Sequence, residues 1–304
     1  MRSAAHKVVY AALAGNLLIA VTKFIAAAIT GSSAMLSEGV HSLVDTGNQA
    51  LLLYGMRRAR QPADERFPFG HGKEIYFWSF VVALLVFAAG AAVSLYEGVH
   101  RLLNPAPLEN AYINYIVLAL AAVFEGSSWT VAFREFRAQL RSRGVFEAVR
   151  VAKDPTDFAV LLEDSAALAG IAVASLGVLA GDLTGEPRYD GIASIMIGCI
   201  LAGTAWWLAR ETKSLLIGES ASREVVGGIR RLAESHPDVR GVHEILTMHV
   251  GPDFILANVS VEIPPEVPRE RAHAVLEELD RDIKRSDPRV KRVFIESQPG
   301  HPEG

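Results

Sequence analysis

The sequence predicts an α-helical membrane protein, with six transmembrane helices followed by a small α+β domain. Three observations carry that reading. Half of the 304 residues are hydrophobic and the mean hydropathy is +0.24, too apolar for one ordinary soluble domain. Long apolar runs recur as far as Arg210, and two of them, Ile75–Tyr96 and Gly191–Ala209, contain no charged residue. Beyond Arg210 the pattern turns to alternating apolar residues separated by charged turns.

A spanning helix needs about 20 mostly apolar residues. Six stretches qualify, at about 8–30, 34–56, 76–98, 111–133, 158–181 and 190–210. The first has the basic start and apolar body of a signal peptide, yet it runs on through Ile29 without an obvious cleavage site and is read as a span. It carries Asn16 and Lys23 on one face, and Lys23 lies near enough to an end to snorkel to the interface.

The connections set the orientation. Arg57, Arg58, Arg60, Arg66 and Lys73 follow the second span, and Arg134, Arg137, Arg141, Arg143, Arg150 and Lys153 follow the fourth, whereas the opposite side has Arg101 and Arg188. Positive-inside bias therefore places both termini and the basic loops in the cytoplasm, with the chain in an inner or plasma membrane. The same bias accounts for RAQLRSRGVFEAVRVAK without nucleic acid as a partner. Cys199, the single cysteine, excludes an intramolecular disulfide and a thiolate cluster, and it reads as a small buried hydrophobe.

The chain is expected to divide into a membrane domain over 1–212 and a cytoplasmic domain over 213–304. In the latter, REVVGGIRRLAESHPDV reads as a short helix, and VRGVHEILTMHV and DFILANVSVEI as strands about a Gly251-Pro252 turn. Ile255, Ala257, Val259, Val261 and Ile263 alternate onto one face. Ala272, Val275, Leu276, Leu279 and Ile283 mark an amphipathic helix, and Lys291–Ile295 a last strand. An α-β-β-α-β order with one greasy sheet face predicts a ferredoxin-like domain with its helices on one side.

The chemistry concentrates in the second span. Glu38, His41, Asp45 and Asn48 are spaced three, four and three apart, one polar stripe along an apolar rod. Ionisable groups at membrane depth face a pathway or a partner. His41 and Asp45 project from consecutive turns, which lets one helix offer an imidazole and a carboxylate to a single divalent ion such as zinc. A His–Asp hydrogen bond that merely ties helices together stays open as the alternative. The fifth span offers Asp157, Glu163 and Asp164 as further ligands. Carboxylates around a dication neutralise it for burial, and protons compete for the same groups, so release can be linked to proton uptake. Glu125, in the fourth span beside Ser127 and Ser128, is a candidate proton relay or additional ligand.

These residues carry a resemblance. GSSAMLSEGVHSLVDTGNQALLLYG, FPFGHGKEIYFWSFVVAL and SLYEGVHRLLNP, followed by a C-terminal domain of this size, resemble the cation diffusion facilitator family of divalent-metal/proton antiporters. The resemblance implies a homodimer in a lipid bilayer that exports a divalent metal, most often zinc, with no prosthetic group; Mn²⁺, Fe²⁺, Co²⁺ and Cd²⁺ are the other cargoes to consider. It places His41 and Asp45 on the family's ligand positions in the second helix and Asp164 on the second position of the pair in the fifth. The first position of that pair is Val160, which cannot ligate, so Glu163, Glu38, Asn48 or water must replace it. VLLEDSAALAG with NQALLLYG resembles a divergent zinc-transporter branch with Glu-Asp there. In the loop DERFPFGHGK, Asp64 and His71 match a second metal site while Phe67 stands in place of a histidine; the alternative is a turn set by Gly70 and Gly72, with His71 bonding backbone. His243, His249, His273 and Glu296 are candidates for a metal site in the cytoplasmic domain, with Gln298 where a carboxylate is expected. Two other classes compete. Val160 motivates a membrane-embedded metal-binding or regulatory protein without transport. A metal-dependent intramembrane hydrolase lacks support, since no HExxH pattern occurs.

Overall fold

The computed structural model describes residues 2–107, 110–139 and 155–298. The elements in order are α1 (Arg2–Thr30), α2 (Ser33–Ala59), α3 (Glu74–Leu85), a π-helical segment (Val86–Ala91), α4 (Ala92–Leu103), α5 (Ala111–Gln139), α6 (Pro155–Thr184), α7 (Arg188–Ile217), α8 (Arg223–Glu234), β1 (Gly241–Gly251), β2 (Phe254–Glu262), α9 (Arg269–Ser286) and β3 (Val290–Gln298). They form two compact units, Met1–Arg57 with Phe77–Lys213 and Arg58–Tyr76 with Ser214–Gly304.

The first unit is a bundle of long helices. Gly31, at φ 66°, ends α1 with its amide bonded to Ala27 O, the left-handed cap that glycine adopts without strain. The core is built from small and branched residues, among them Ala26, Met35, Leu118, Ala121, Ala174, Val178 and Ile197. Glycine lets α4 and α7 approach backbone to backbone: a Cβ on Gly98 would lie 2.8 Å from Gly191 O, and one on Gly198 would lie 3.0 Å from Leu95 N. Small residues at a crossing are how membrane helices gain packing, because lipid supplies no hydrophobic drive between them. Leu18, Leu120, Val123, Leu183 and Trp206 are exposed, an apolar outer surface suited to lipid.

Among the described residues, four helices are long and apolar enough to cross a membrane: Glu74–Leu103, Ala111–Arg134, Leu161–Thr184 and Arg188–Ile217. Gly15–Thr30 is apolar but shorter. The polar stripe keeps α2 out of that set. Cys199 departs from the sequence expectation, for it is exposed on α7 rather than buried.

The second unit contains a sheet in the order β1-β2-β3, antiparallel between β1 and β2 and parallel between β2 and β3. The predicted alternation appears as a buried face in which Ile255, Ala257, Val259 and Val261 are at most 1% exposed. Val225, Ile229 and Ala233 of α8 and Val275, Leu279 and Ile283 of α9 close one core over it, the ferredoxin-like arrangement expected. The last strand is longer than Lys291–Ile295 because its ladder with β2 continues to Glu262↔Gln298. The loop from Arg58 belongs to this unit. Gly72 is pressed against the β1–β2 turn, where a Cβ would meet Val250 O at 2.5 Å, and Lys73 Nζ donates to Leu216 O at 3.4 Å.

Candidate functional site

The stripe on α2 faces inward. Glu38, His41, Asp45 and Asn48 are 0, 1, 9 and 0% exposed. Glu163 and Asp164 on α6 and Glu125 on α5 are buried as well. Apolar residues on the other helical faces dictate this, since polar side chains on a rod in lipid must turn toward the bundle.

The stripe and its neighbours are joined by few bonds. Asn48 Nδ2 donates to Glu163 Oε1 at 3.3 Å, and Ser128 Oγ donates to Asp164 Oδ2 at 3.0 Å. His41 Nδ1 lies 3.5 Å from Asp45 Oδ1, too far for a hydrogen bond. Neither ring nitrogen of His41 has a hydrogen-bond partner, nor do Asp45 Oδ1 and Asn48 Oδ1. His41, Asp45 and Asn48 thus hold buried polar atoms without partners, a costly arrangement that a cation would relieve at the acceptors among them. Among the described residues no three His, Cys, Asp or Glu side chains converge tightly enough to enclose an ion. The side chain of Asp157 lies outside those described, as does that of Val160.

Two buried groups depart from the sequence reading. Lys23 does not snorkel: it is 0% exposed, and its ammonium donates to Glu38 Oε2 and Ser42 Oγ, both at 2.8 Å. Glu38 is therefore an ion-pair partner before it is a ligand. Asp190, at the start of α7, directly precedes the uncharged run Gly191–Ala209 and carries no periodic mark in the sequence. Its carboxylate accepts from Ser32 Oγ, from Ser33 N at 2.6 Å, from Ser33 Oγ at 2.8 Å and from Ala34 N at 3.3 Å, with Arg101 Nε 3.6 Å away. It caps α2 from another helix, satisfying amides that have no partner inside α2. The Ser32-Ser33 pair where α2 begins is the signal the sequence offers.

In the loop, Asp64 and His71 do meet. His71 Nε2 lies 2.9 Å from Asp64 Oδ2, while Asp64 Oδ1 accepts from Arg66 N at 2.9 Å and Phe67 N at 2.7 Å. The partner of His71 is a carboxylate, not the backbone expected. These hydrogen bonds, that from His71 first, hold the Asp64 carboxyl below its usual pKa. Of the candidates in the sheet domain, His243 Nε2 is 4.0 Å from Glu262, His273 is exposed beside Glu277 on α9, His249 is buried on β1 and Glu296 is exposed on β3.

Residues 9–217 match the family model described as the cation efflux transmembrane domain, and residues 221–299 match that of the cation efflux protein cytoplasmic domain. The chain is 35% identical over 247 residues to the human protein named proton-coupled zinc antiporter SLC30A9, mitochondrial, covering 81% of this chain and 44% of that one. It is 30% identical over 249 residues to metal tolerance protein C4 of Arabidopsis thaliana, covering 81% and 54%. With cation-efflux pump FieF of Klebsiella pneumoniae it shares 27% identity over 260 residues, covering 85% and 81%. The chain thus spans about half the length of the first two of these relatives.

Proposed function

The chain belongs to the cation diffusion facilitator family, and from that premise we propose that it moves a divalent cation, zinc foremost, across a membrane in exchange for protons. The observation that carries this reading is the buried pair His41 and Asp45, one turn apart on α2, whose ring nitrogens and Oδ1 have no hydrogen-bond partner. In the proposal His41, Asp45, Asp164 and Glu163 hold the ion, with Glu163 replacing the ligand absent at Val160. Asn48 and Ser128 orient the carboxylates through the bonds they make to Glu163 and Asp164. Binding needs the imidazole neutral and the carboxylates ionised, so each proton gained by the set opposes metal. Glu125 is placed on the proton path. Six helices cross the bilayer, residues 1–212 form the transport domain, and positive-inside bias sets both termini in the cytoplasm. Residues 213–304 serve as the cytoplasmic domain through which two copies pair.

Transport requires the site to face each side in turn, by rearrangement of helices around it. The separated side chains suit a state in which helices have yet to close on the ion. The test is purified protein in proteoliposomes containing a metal-sensitive dye, under an imposed pH gradient. Zn²⁺ is expected to accumulate and to stop when the gradient is collapsed. If Zn²⁺, Mn²⁺, Fe²⁺, Co²⁺ and Cd²⁺ all fail to move, the transport reading is overturned and a metal-binding protein without transport replaces it.

A further inference from the structure

Lys23 is the one lysine or arginine among the described residues that is wholly buried, and its bonds reach α2, the helix that carries His41 and Asp45. Its ammonium reaches Glu38 Oε2 and Ser42 Oγ, so it spans one helical turn of α2 from the stripe's first member to the residue after His41. The second oxygen, Glu38 Oε1, has no hydrogen-bond partner and rests on Gly170 of α6, where a Cβ would collide with it. Seven residues separate Glu38 from Asp45 and Gly170 from Glu163, so each pair shares a helical face. The His41–Asp45 turn is therefore bracketed between Lys23–Glu38 packed on Gly170 and the Asn48–Glu163 bond.

As a mechanical tie this pair has little merit. Two ions taken from water lose hydration that their attraction barely restores, and apolar residues of the same volume pack as well or better. What an ion pair alone supplies is fixed charge. Without Lys23, Glu38 would add a bare carboxylate to a stripe that already offers Asp45, and a dication would be held by one more negative charge. Without Glu38, the ammonium would stand unneutralised within reach of any ion at His41.

We propose that Lys23 is a tethered cation that occupies Glu38, keeps it out of the metal's ligand set and so holds the site at a charge from which one divalent ion can be released. It is a positioning residue acting through Glu38. This rests on the reading of His41, Asp45, Glu163 and Asp164 as the binding site.

The test is a double-mutant cycle on the full chain in lipid nanodiscs, reading the component of Zn²⁺ binding that Asp45→Ala removes, with transport kinetics alongside. Glu38→Gln is expected to weaken that binding by roughly 10-fold, because an uncompensated ammonium repels the ion. Lys23→Met is expected to tighten it and to lower kcat together with KM. The double variant K23M/E38Q is expected to return close to the wild-type affinity. A structural role moves thermal stability in all three variants without these opposed shifts. Shifts of the same sign in both single variants, or unchanged affinity, overturn the proposal. If Lys23→Met does not fold, Glu38→Gln decides alone, and unchanged or tighter binding in it is the refuting result. Should Asp45→Ala remove no binding, or the wild type move no Zn²⁺, the transport-site reading fails, a different outcome from a flat cycle.

Discussion

Asn48 of α2 donates its side-chain amide to Glu163 of α6 at 3.3 Å, with both residues buried. The bond joins the helix that carries His41 and Asp45 to the helix that carries Asp164. It orients Glu163 toward the stripe, whereas Asp164, the next residue around α6, is held by Ser128 of α5. The two carboxylates are thus addressed from different helices.

Asp164→Asn keeps a hydrogen-bonding group beside Ser128 but removes the charge. Initial zinc transport in proteoliposomes is expected to fall by roughly 100-fold, and Ser128→Ala by roughly 10-fold. Transport retained in Asp164→Asn would refute the ligand assignment. Sensitivity of Glu163→Ala comparable to that of Asp164→Asn would support Glu163 in the place that Val160 cannot fill.

Gly170→Ala places a methyl group on the oxygen of Glu38 while Lys23 grips the other. Overpacking of this kind costs about 1–3 kcal/mol, measured by thermal unfolding in detergent. In a Glu38→Ala background the same substitution is expected to be nearly neutral, because its collision partner is gone. Equal costs in the two backgrounds would show that the strain lies elsewhere.

Asp190→Asn removes a charged acceptor from the amides that open α2, leaving buried donors less well satisfied. A loss of about 1–3 kcal/mol of stability is expected, with Asp190→Ala worse. Hydrogen exchange at Ser33 and Ala34 should rise most. Unchanged protection there would mean the cap is dispensable.

Asp64 carries a sign that a titration can check. Its carboxyl is held low by the hydrogen bond from His71 and by the amides of Phe67 and Arg66. Stability contributed by a depressed carboxylate is present above its unfolded pKa of about 3.9 and is lost as pH falls through the folded value. In a carbon-detected carboxyl titration of the full chain, His71→Ala is expected to move Asp64 upward toward the usual range. An unmoved Asp64 would assign the shift to the two backbone amides alone.

Much of this architecture can be read along the chain because it follows from local periodicity. The alternation of Ile255, Ala257, Val259 and Val261 is the buried sheet face, and the three-four-three spacing of Glu38, His41, Asp45 and Asn48 is the inward face of α2. The fate of Lys23 could not be read that way. Its depth in an apolar run allowed snorkelling, and its partner is found 15 residues away on another helix. Asp190 shows the same limit more strongly, with Ser33 lying 157 residues away in sequence.

Which residues are polar in an apolar setting, and which face of each element they occupy, is legible along the chain, because a helix or strand repeats with a period short enough to see in one dimension. Who meets whom is a property of the folded chain alone: Lys23 with Glu38, Asn48 with Glu163, Ser128 with Asp164 and Asp190 with the start of α2. Those pairings depend on where helices cross and at what height. The crossings are set by close approaches such as Gly98 against Gly191, which leave no periodic trace in the chain.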